Sequence, residues 1–142
     1  GIDNQAYGSF SYGDCLPRIL GYGLKEEQLV PELQSRHTRE QAELVIDMCR
    51  QRSWNRLNLV ASNYHQHRAF LTFFKVLQER SLDRQVKIFN AAARLPWFEE
   101  NPWGTRIQLL ETEFEKIARY QAEGHVADFA DAIAYYKWRS LE

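Results

Sequence analysis

Leu59-Val60-Ala61-Ser62-Asn63-Tyr64-His65-Gln66-His67-Arg68-Ala69 is the stretch that decides how this chain folds. The apolar run from Leu57 to Ala61 predicts a buried strand. The helix that follows carries Ala69, Phe70, Phe73, Phe74 and Leu77 on one stripe. A strand running straight into a helix is half of a βαβ unit, and in open α/β sheets ligands bind just beyond the strand carboxyl ends. A helix N-terminus at that place offers free N–H groups and a partial positive charge, which suit an anion. His65 and Arg68 lie in the first turns of this helix, three residues apart and on one face.

Upstream, Thr38 with Gln41 has the spacing of a capping box. It opens a helix with Ala42, Val45, Ile46 and Cys49 at i, i+3, i+4 and i+7, ending near Arg52-Ser53. Before it, Gln28 to Leu33 predicts a short strand, with Pro31 placing it at an edge or a strand end. A short helix from Asp14 to Leu20 comes earlier, with Pro17 near its first turn and Gly21 and Gly23 closing it. The first dozen residues read as loop.

Downstream, Gln85 to Asn90 predicts a strand, followed by the proline- and tryptophan-rich connection Pro96 to Gly104. Thr105 with Gln108 is a second capping box, opening a helix expected to bury Ile107, Leu110, Phe114, Ile117 and Ala118. Gly124-His125 breaks it. A last helix from Val126 to Trp138 carries Val126, Phe129, Ala130 and Ile133 on one side. Alternation of strands and helices predicts α/β architecture with a mostly parallel sheet and helices on both faces. Three strands make a small parallel sheet. The pattern leaves room for further strands at its N-terminal side, missing here, replaced by the N-terminal loop, or supplied by a partner.

The 142 residues, 44% of them hydrophobic, suit a single domain over 1–142 with a real core. Eighteen basic residues against nineteen acidic ones give a net charge of −1, which argues against a nucleic-acid partner and against general attraction to anionic membranes. Cys15 and Cys49 have no metal-type spacing and read as small hydrophobes. No run of 18 apolar residues predicts a membrane span. The chain begins Gly1-Ile2-Asp3-Asn4 with no Met and no signal peptide, which is compatible with a processed product or an anchor before Gly1. An exposed sheet edge is compatible with a homo-oligomer.

Two segments together resemble the bacterial DUF218 family, the group of SanA-, ElyC- and YdcF-like proteins. Ser35-Arg36-His37-Thr38-Arg39-Glu40-Gln41-Ala42 is similar to its S-R-N-T-x-E-N-A signature. Leu59 to Ala69 is similar to its L-V-T-S-x-Y-H-M-x-R-A signature, and the spacing between the two also fits. The Asp14-to-Gly23 helix with Gln28 to Glu32 is similar to the family's L-x-x-x-G-V-P-x-x-x-I-x-x-E stretch. The likeness covers Gly8 to Leu77 and is loose beyond. His37 and Gln41 stand where the family has Asn, Ala61 where it has Thr, and Gln66 where it has Met. The usual opening strand with its Gly-Gly turn has no counterpart. The resemblance implies a Rossmann-like three-layer α/β sandwich with a polar pocket at the strand carboxyl ends, in a protein of the bacterial cell envelope concerned with envelope integrity or lipid-carrier metabolism. It implies no particular reaction and no particular cofactor.

The candidate site joins two helix starts, Ser35, His37, Thr38 and Glu40 on one and Ser62, Asn63, His65 and Arg68 on the other. Arg68 can grip a phosphate or carboxylate with two prongs, and Ser62 and Asn63 with the free N–H groups complete a cradle. Histidine side chains titrate near neutral pH, so His65 suits general acid–base work, with Glu40 orienting it or pairing with Arg68. Each residue also has a structural role open to it: Thr38, Ser62 or Asn63 as a helix cap, and Arg68 with Glu40 as an ion pair. His65 and His67, two apart, face different directions, and no zinc-type Cys pattern, glycine-rich phosphate loop or G-x-S-x-G elbow is present, so no metal is expected. The reading is an anionic, phosphorylated small-molecule ligand, bound or processed. The alternative is a non-catalytic module for a nucleotide-like ligand.

Overall fold

A computed structural model describes residues 11–141. The expected N-terminal loop lies, for residues 1–10, outside the described residues. The chain divides into two compact units, Gly1–Val45 and Ile46–Glu142, the division falling within one helix. The described residues form a mixed α/β structure with five α-helices, a two-stranded parallel sheet and a two-stranded antiparallel hairpin.

In the first unit, α1 spans Tyr12–Gly21. It starts two residues before the expected Asp14 because Ser11 and Asp14 form a reciprocal capping box, the Asp14 N–H donating to Ser11 Oγ at 3.0 Å. Pro17 therefore sits inside the helix rather than in its first turn. Gly23, at φ +87°, makes the left-handed turn that ends it. The expected strand at Gln28 to Leu33 is absent. A single 3-10 turn occupies Glu26–Gln28, in which the Gln28 and Leu29 N–H groups donate to Lys25 O and Glu26 O, each at 2.9 Å. Glu32 Oε1 accepts the N–H groups of Gln34 and Ser35 at 2.6 and 2.8 Å, and Pro31 has no N–H to give.

Helix α2, Thr38–Gln51, begins with His37 rather than Thr38 as its cap. The Glu40 N–H donates to His37 Nδ1 at 3.3 Å, and Glu40 Oε2 reaches back to the Arg36 N–H at 2.7 Å. The arrangement differs from the box that the Thr38–Gln41 spacing predicted: the cap lies one residue earlier, and the Glu40 carboxylate takes the N–H of Arg36, the residue before the cap.

In the second unit, β1 (Arg56–Leu59) and β2 (Lys87–Asn90) pair in parallel, Arg56 opposite Lys87 and Leu59 opposite Asn90. The crossover between them contains α3, Gln66–Glu79. All five residues of its predicted stripe are buried, and Phe70, Phe74 and Tyr135 pack ring on ring, Phe74 and Tyr135 at 4.5 Å between centroids. Past β1, the Gln66 side chain bridges the two parallel segments. Its amide accepts from the Ala61 N–H at 3.0 Å and donates to Leu59 O at 3.1 Å and Asn90 Oδ1 at 2.8 Å. A buried glutamine fits here because its own amide oxygen and nitrogen are paired, its bond to Leu59 O lying beside the one that Leu59 O accepts from the Ala91 N–H at 3.0 Å.

The Pro96-to-Gly104 connection folds into a hairpin, β3 (Glu100–Asn101) and β4 (Gly104–Thr105). Gly104 suits this turn because its φ is +103°, a left-handed conformation that residues with a Cβ rarely adopt. Thr105 caps α4, Arg106–Ala122, through the predicted box with Gln108. This helix turns Glu113 and Ile117 inward, four residues apart and so on one face, and leaves Phe114 54% exposed and Ala118 exposed. Helix α5, Phe129–Ser140, buries Ala132 and Tyr135, while Phe129, Ala130 and Ile133 face solvent.

The outer edge of β2 explains the orientation of α5. The Tyr135 hydroxyl accepts from the Ile88 N–H at 2.6 Å and donates to Val86 O at 2.9 Å. Arg139 donates to Ile88 O. Side chains thus take the ladder bonds that another strand would take. Burial pushes the Tyr135 phenol above its ordinary range. Tyr135→Phe leaves a buried N–H and a buried C=O unpaired, so it is expected to cost about 2 kcal/mol, read as a lower urea midpoint.

The sheet described here has two parallel strands, not three. Among the described residues no helix is long and apolar enough to cross a membrane.

Candidate functional site

The expected residues fall into two groups in two units. In the first unit, Ser35 is buried and its hydroxyl donates to Glu32 Oε2. Slight burial raises the Glu32 carboxyl, but the bonds from Ser35 and Gln34 outweigh it and hold the group at about 2. His37 and Glu40 make the helix cap already described, with His37 Nε2 and Glu40 Oε1 3.5 Å apart. Thr38 is the first residue of α2.

In the second unit, the chain leaves β1 and turns through Ser62 and Asn63 into α3. Ser62 O accepts the N–H groups of His65 and Gln66 at 2.9 and 3.0 Å, and Ser62 forms a parallel bridge with Ala93. Asn63 ties this turn to the loop after β2. Its Nδ2 donates to Leu95 O at 2.9 Å, and its Oδ1 accepts from the Tyr64 N–H at 3.0 Å. A cavity of about 440 Å³ opens beyond the carboxyl ends of β1 and β2, lined by Asn63, Ala92, Ala93, Arg94, Leu95, Pro96 and Trp97. Its far wall is held by Arg106, whose guanidinium donates to Pro96 O at 2.8 Å and to Glu99 Oε2 at 3.0 Å. Trp97 is half-buried against this cavity, while Phe98 and Trp103 point outward, 79% and 52% exposed.

His65 and Arg68 are not among the lining residues. Both turn toward α4 and share the carboxylate of Glu113, which is 2% exposed. His65 Nδ1 lies 2.8 Å from Oε2, Arg68 Nε donates to Oε2 at 2.6 Å and Arg68 Nη2 to Oε1 at 3.1 Å, and Lys116 Nζ donates to Oε1 at 2.9 Å. The carboxylate that orients the imidazole and pairs with Arg68 is therefore Glu113, where the sequence had suggested Glu40. Arg68 spends its two-pronged face on Glu113, and its Cζ sits 5.7 Å from the Tyr120 ring centroid.

Burial alone would raise the Glu113 carboxyl. The bonds from His65, Arg68 and Lys116 and the charge of Arg68 outweigh it and hold the group at about 2. An ionised carboxylate can only accept, so His65 must donate from Nδ1, and a neutral ring then carries its lone pair on Nε2. This is the orientation by which a buried acid prepares a histidine to move a proton.

A folded pKa of about 2 against the ordinary 4.5 stabilises the fold fully above pH 4.5. That contribution, on the order of 3 kcal/mol, is lost as pH falls through 4.5 toward 2. Thermal melting between pH 6 and 2 is expected to show this acid loss, and Glu113→Gln to show a shallower dependence on pH.

No family model, no curated protein and no solved structure matches this chain.

Among the described residues no three His, Cys, Asp or Glu side chains are grouped to hold a metal ion. Both cysteines are free thiols, and burial pushes the Cys49 thiol up. Of the functional groups, Glu113 was the one the sequence pattern passed over. Its signal was the i, i+4 pair Glu113 and Ile117, which competes with an equally periodic stripe through Leu110, Phe114 and Ile117.

Proposed function

We propose that this chain is a DUF218-like domain of the Rossmann-like three-layer type. In this reading it binds or processes an anionic, phosphorylated small molecule in bacterial cell-envelope metabolism, in the crevice beyond the carboxyl ends of β1 and β2. The observation that carries the proposal is the Glu113 carboxylate on His65 Nδ1 at 2.8 Å, in the turn where β1 passes into α3. The parallel β1–β2 pair with its helical crossover, the cavity beside Asn63 and the quoted sequence signatures support the same reading. The anion lies among Asn63, Arg94 and the N–H groups at the start of α3, and His65 moves a proton through Nε2.

A second reading, a binding module for a nucleotide-like ligand without chemistry, is favoured by one observation. The cavity is lined by Asn63, Arg94 and Trp97, not by His65. Incubation with a bacterial extract of phosphorylated metabolites, followed by phosphorus NMR, separates the two. Processing predicts a resonance consumed by the wild type and left intact by a folded His65→Ala variant. Equal consumption by both removes His65 from the chemistry, and broadening without consumption selects the binding module.

A further inference from the structure

We propose, resting on the reading of the crevice beside Asn63 as a site for a phosphorylated ligand, that the organic part of that ligand is an aromatic ring, lying flat on Trp97 while the phosphate meets Arg94. The cavity of about 440 Å³ lies within the range of small-molecule pockets, about 300–1,000 Å³, and is larger than a phosphate group fills. Most of its lining is apolar, with Ala92, Ala93, Leu95, Pro96 and Trp97 set against Asn63 and Arg94. The space beyond the phosphate therefore suits carbon.

The wall that carries Trp97 is fixed through its own backbone. Leu95 O accepts from Asn63 Nδ2 at 2.9 Å, Pro96 O from Arg106 at 2.8 Å and Trp97 O from the Ile107 N–H at 3.2 Å. Pro96 has no N–H to offer. These carbonyls already accept bonds from the protein, so the wall meets a ligand chiefly with side chains. A ring there is held by its face, not by hydrogen bonds at its edge.

The two groups that would grip the ligand are open. Trp54 and Trp138 each hold an arginine over the ring, Arg52 Cζ at 5.1 Å and Arg84 Cζ at 5.4 Å. Among the described residues, the half-buried Trp97 ring meets no other ring and no cation. The exposed Arg94 guanidinium, in the same loop, has no hydrogen-bond, ion-pair or ring partner among them either. A guanidinium without a carboxylate suits a two-pronged phosphate contact, and an indole face without a partner suits offset stacking. An aliphatic chain would gain burial on this wall but no stacking.

Calorimetric titration with inorganic phosphate, phenyl phosphate and hexyl phosphate, in about 0.1 M salt to screen long-range attraction, tests this. Phenyl phosphate is expected to bind about tenfold or more tighter than inorganic phosphate, the size of one stacked ring, and tighter than hexyl phosphate. Its ring protons are expected to shift upfield on binding, as protons above an indole face do. Trp97→Leu removes most of the gain and leaves inorganic phosphate unaffected, while Arg94→Gln weakens all three. The comparison of ligands and the shift are read on the wild type, so they hold even where a variant fails to fold. Phenyl phosphate binding no tighter than inorganic phosphate, or hexyl phosphate matching it, overturns the ring and leaves the phosphate site standing. If none of the three saturates at millimolar concentration, the phosphate site fails and the ring with it.

Discussion

Glu113→Ala will lower the unfolding free energy by about 3–5 kcal/mol, the cost of breaking a buried charge network by removing its centre. The carboxylate is nearly inaccessible and takes bonds from His65, Arg68 and Lys116. Without it, the Arg68 guanidinium, 17% exposed, loses both partners of its two-pronged contact. Its charge then stays in a largely desolvated place or drags the start of α3 toward water. Glu113→Gln is milder, since an amide oxygen still accepts one bond while its NH2 faces donors. Urea unfolding of the two variants beside the wild type reads both effects, and a loss below about 1 kcal/mol for Glu113→Ala means that the network is solvated. The same variants will alter the tautomer of His65, visible in its imidazole nitrogen shifts.

Phe74→Ala is expected to cost a similar amount, about 3–5 kcal/mol, for a different reason. Phe74 is 2% exposed and lies between Phe70 and Tyr135, with ring centroids at 6.0 and 4.5 Å. Truncation removes the transfer free energy of the ring and leaves a void that α3 and α5 fill poorly. It also loosens Tyr135, whose hydroxyl closes the edge of β2. The cost therefore couples to that of Tyr135→Phe, and the double variant loses less than the sum of the two single losses. Strict additivity in urea unfolding contradicts that link.

These two residues also show what a sequence makes legible. The α3 stripe through Phe74 follows from spacing alone, because every position on that face is apolar and all of it is buried. The strand before it and the Thr105 cap are equally local, needing no knowledge of distant residues. Glu113 is different. Its burial makes sense only beside His65 and Arg68, 48 and 45 residues away, and periodicity ranks a glutamate behind Phe114. Tyr135 likewise faces inward because the β2 edge needs a hydroxyl, while the more apolar Phe129 and Ile133 stay exposed. The expected strand at Gln28 to Leu33 failed through local chemistry, the Gln28 and Leu29 N–H groups going to Lys25 O and Glu26 O in a 3-10 turn and Pro31 having no N–H to give. At the candidate site, Ser62, Asn63, His65 and Arg68 were legible as a cluster because they share one strand-to-helix turn, but the partner that sets their geometry was not.

In the proposed function, the crevice beside Asn63 takes a phosphorylated small molecule. Native mass spectrometry of the chain purified from a bacterial host tests it most directly. The expected result is an adduct of phosphorus-containing composition that disappears in an Asn63→Ala, Arg94→Gln variant while persisting in Arg56→Gln, Arg84→Gln. A bare mass after exposure to bacterial phosphorylated metabolites, or an adduct indifferent to Asn63 and Arg94, contradicts it.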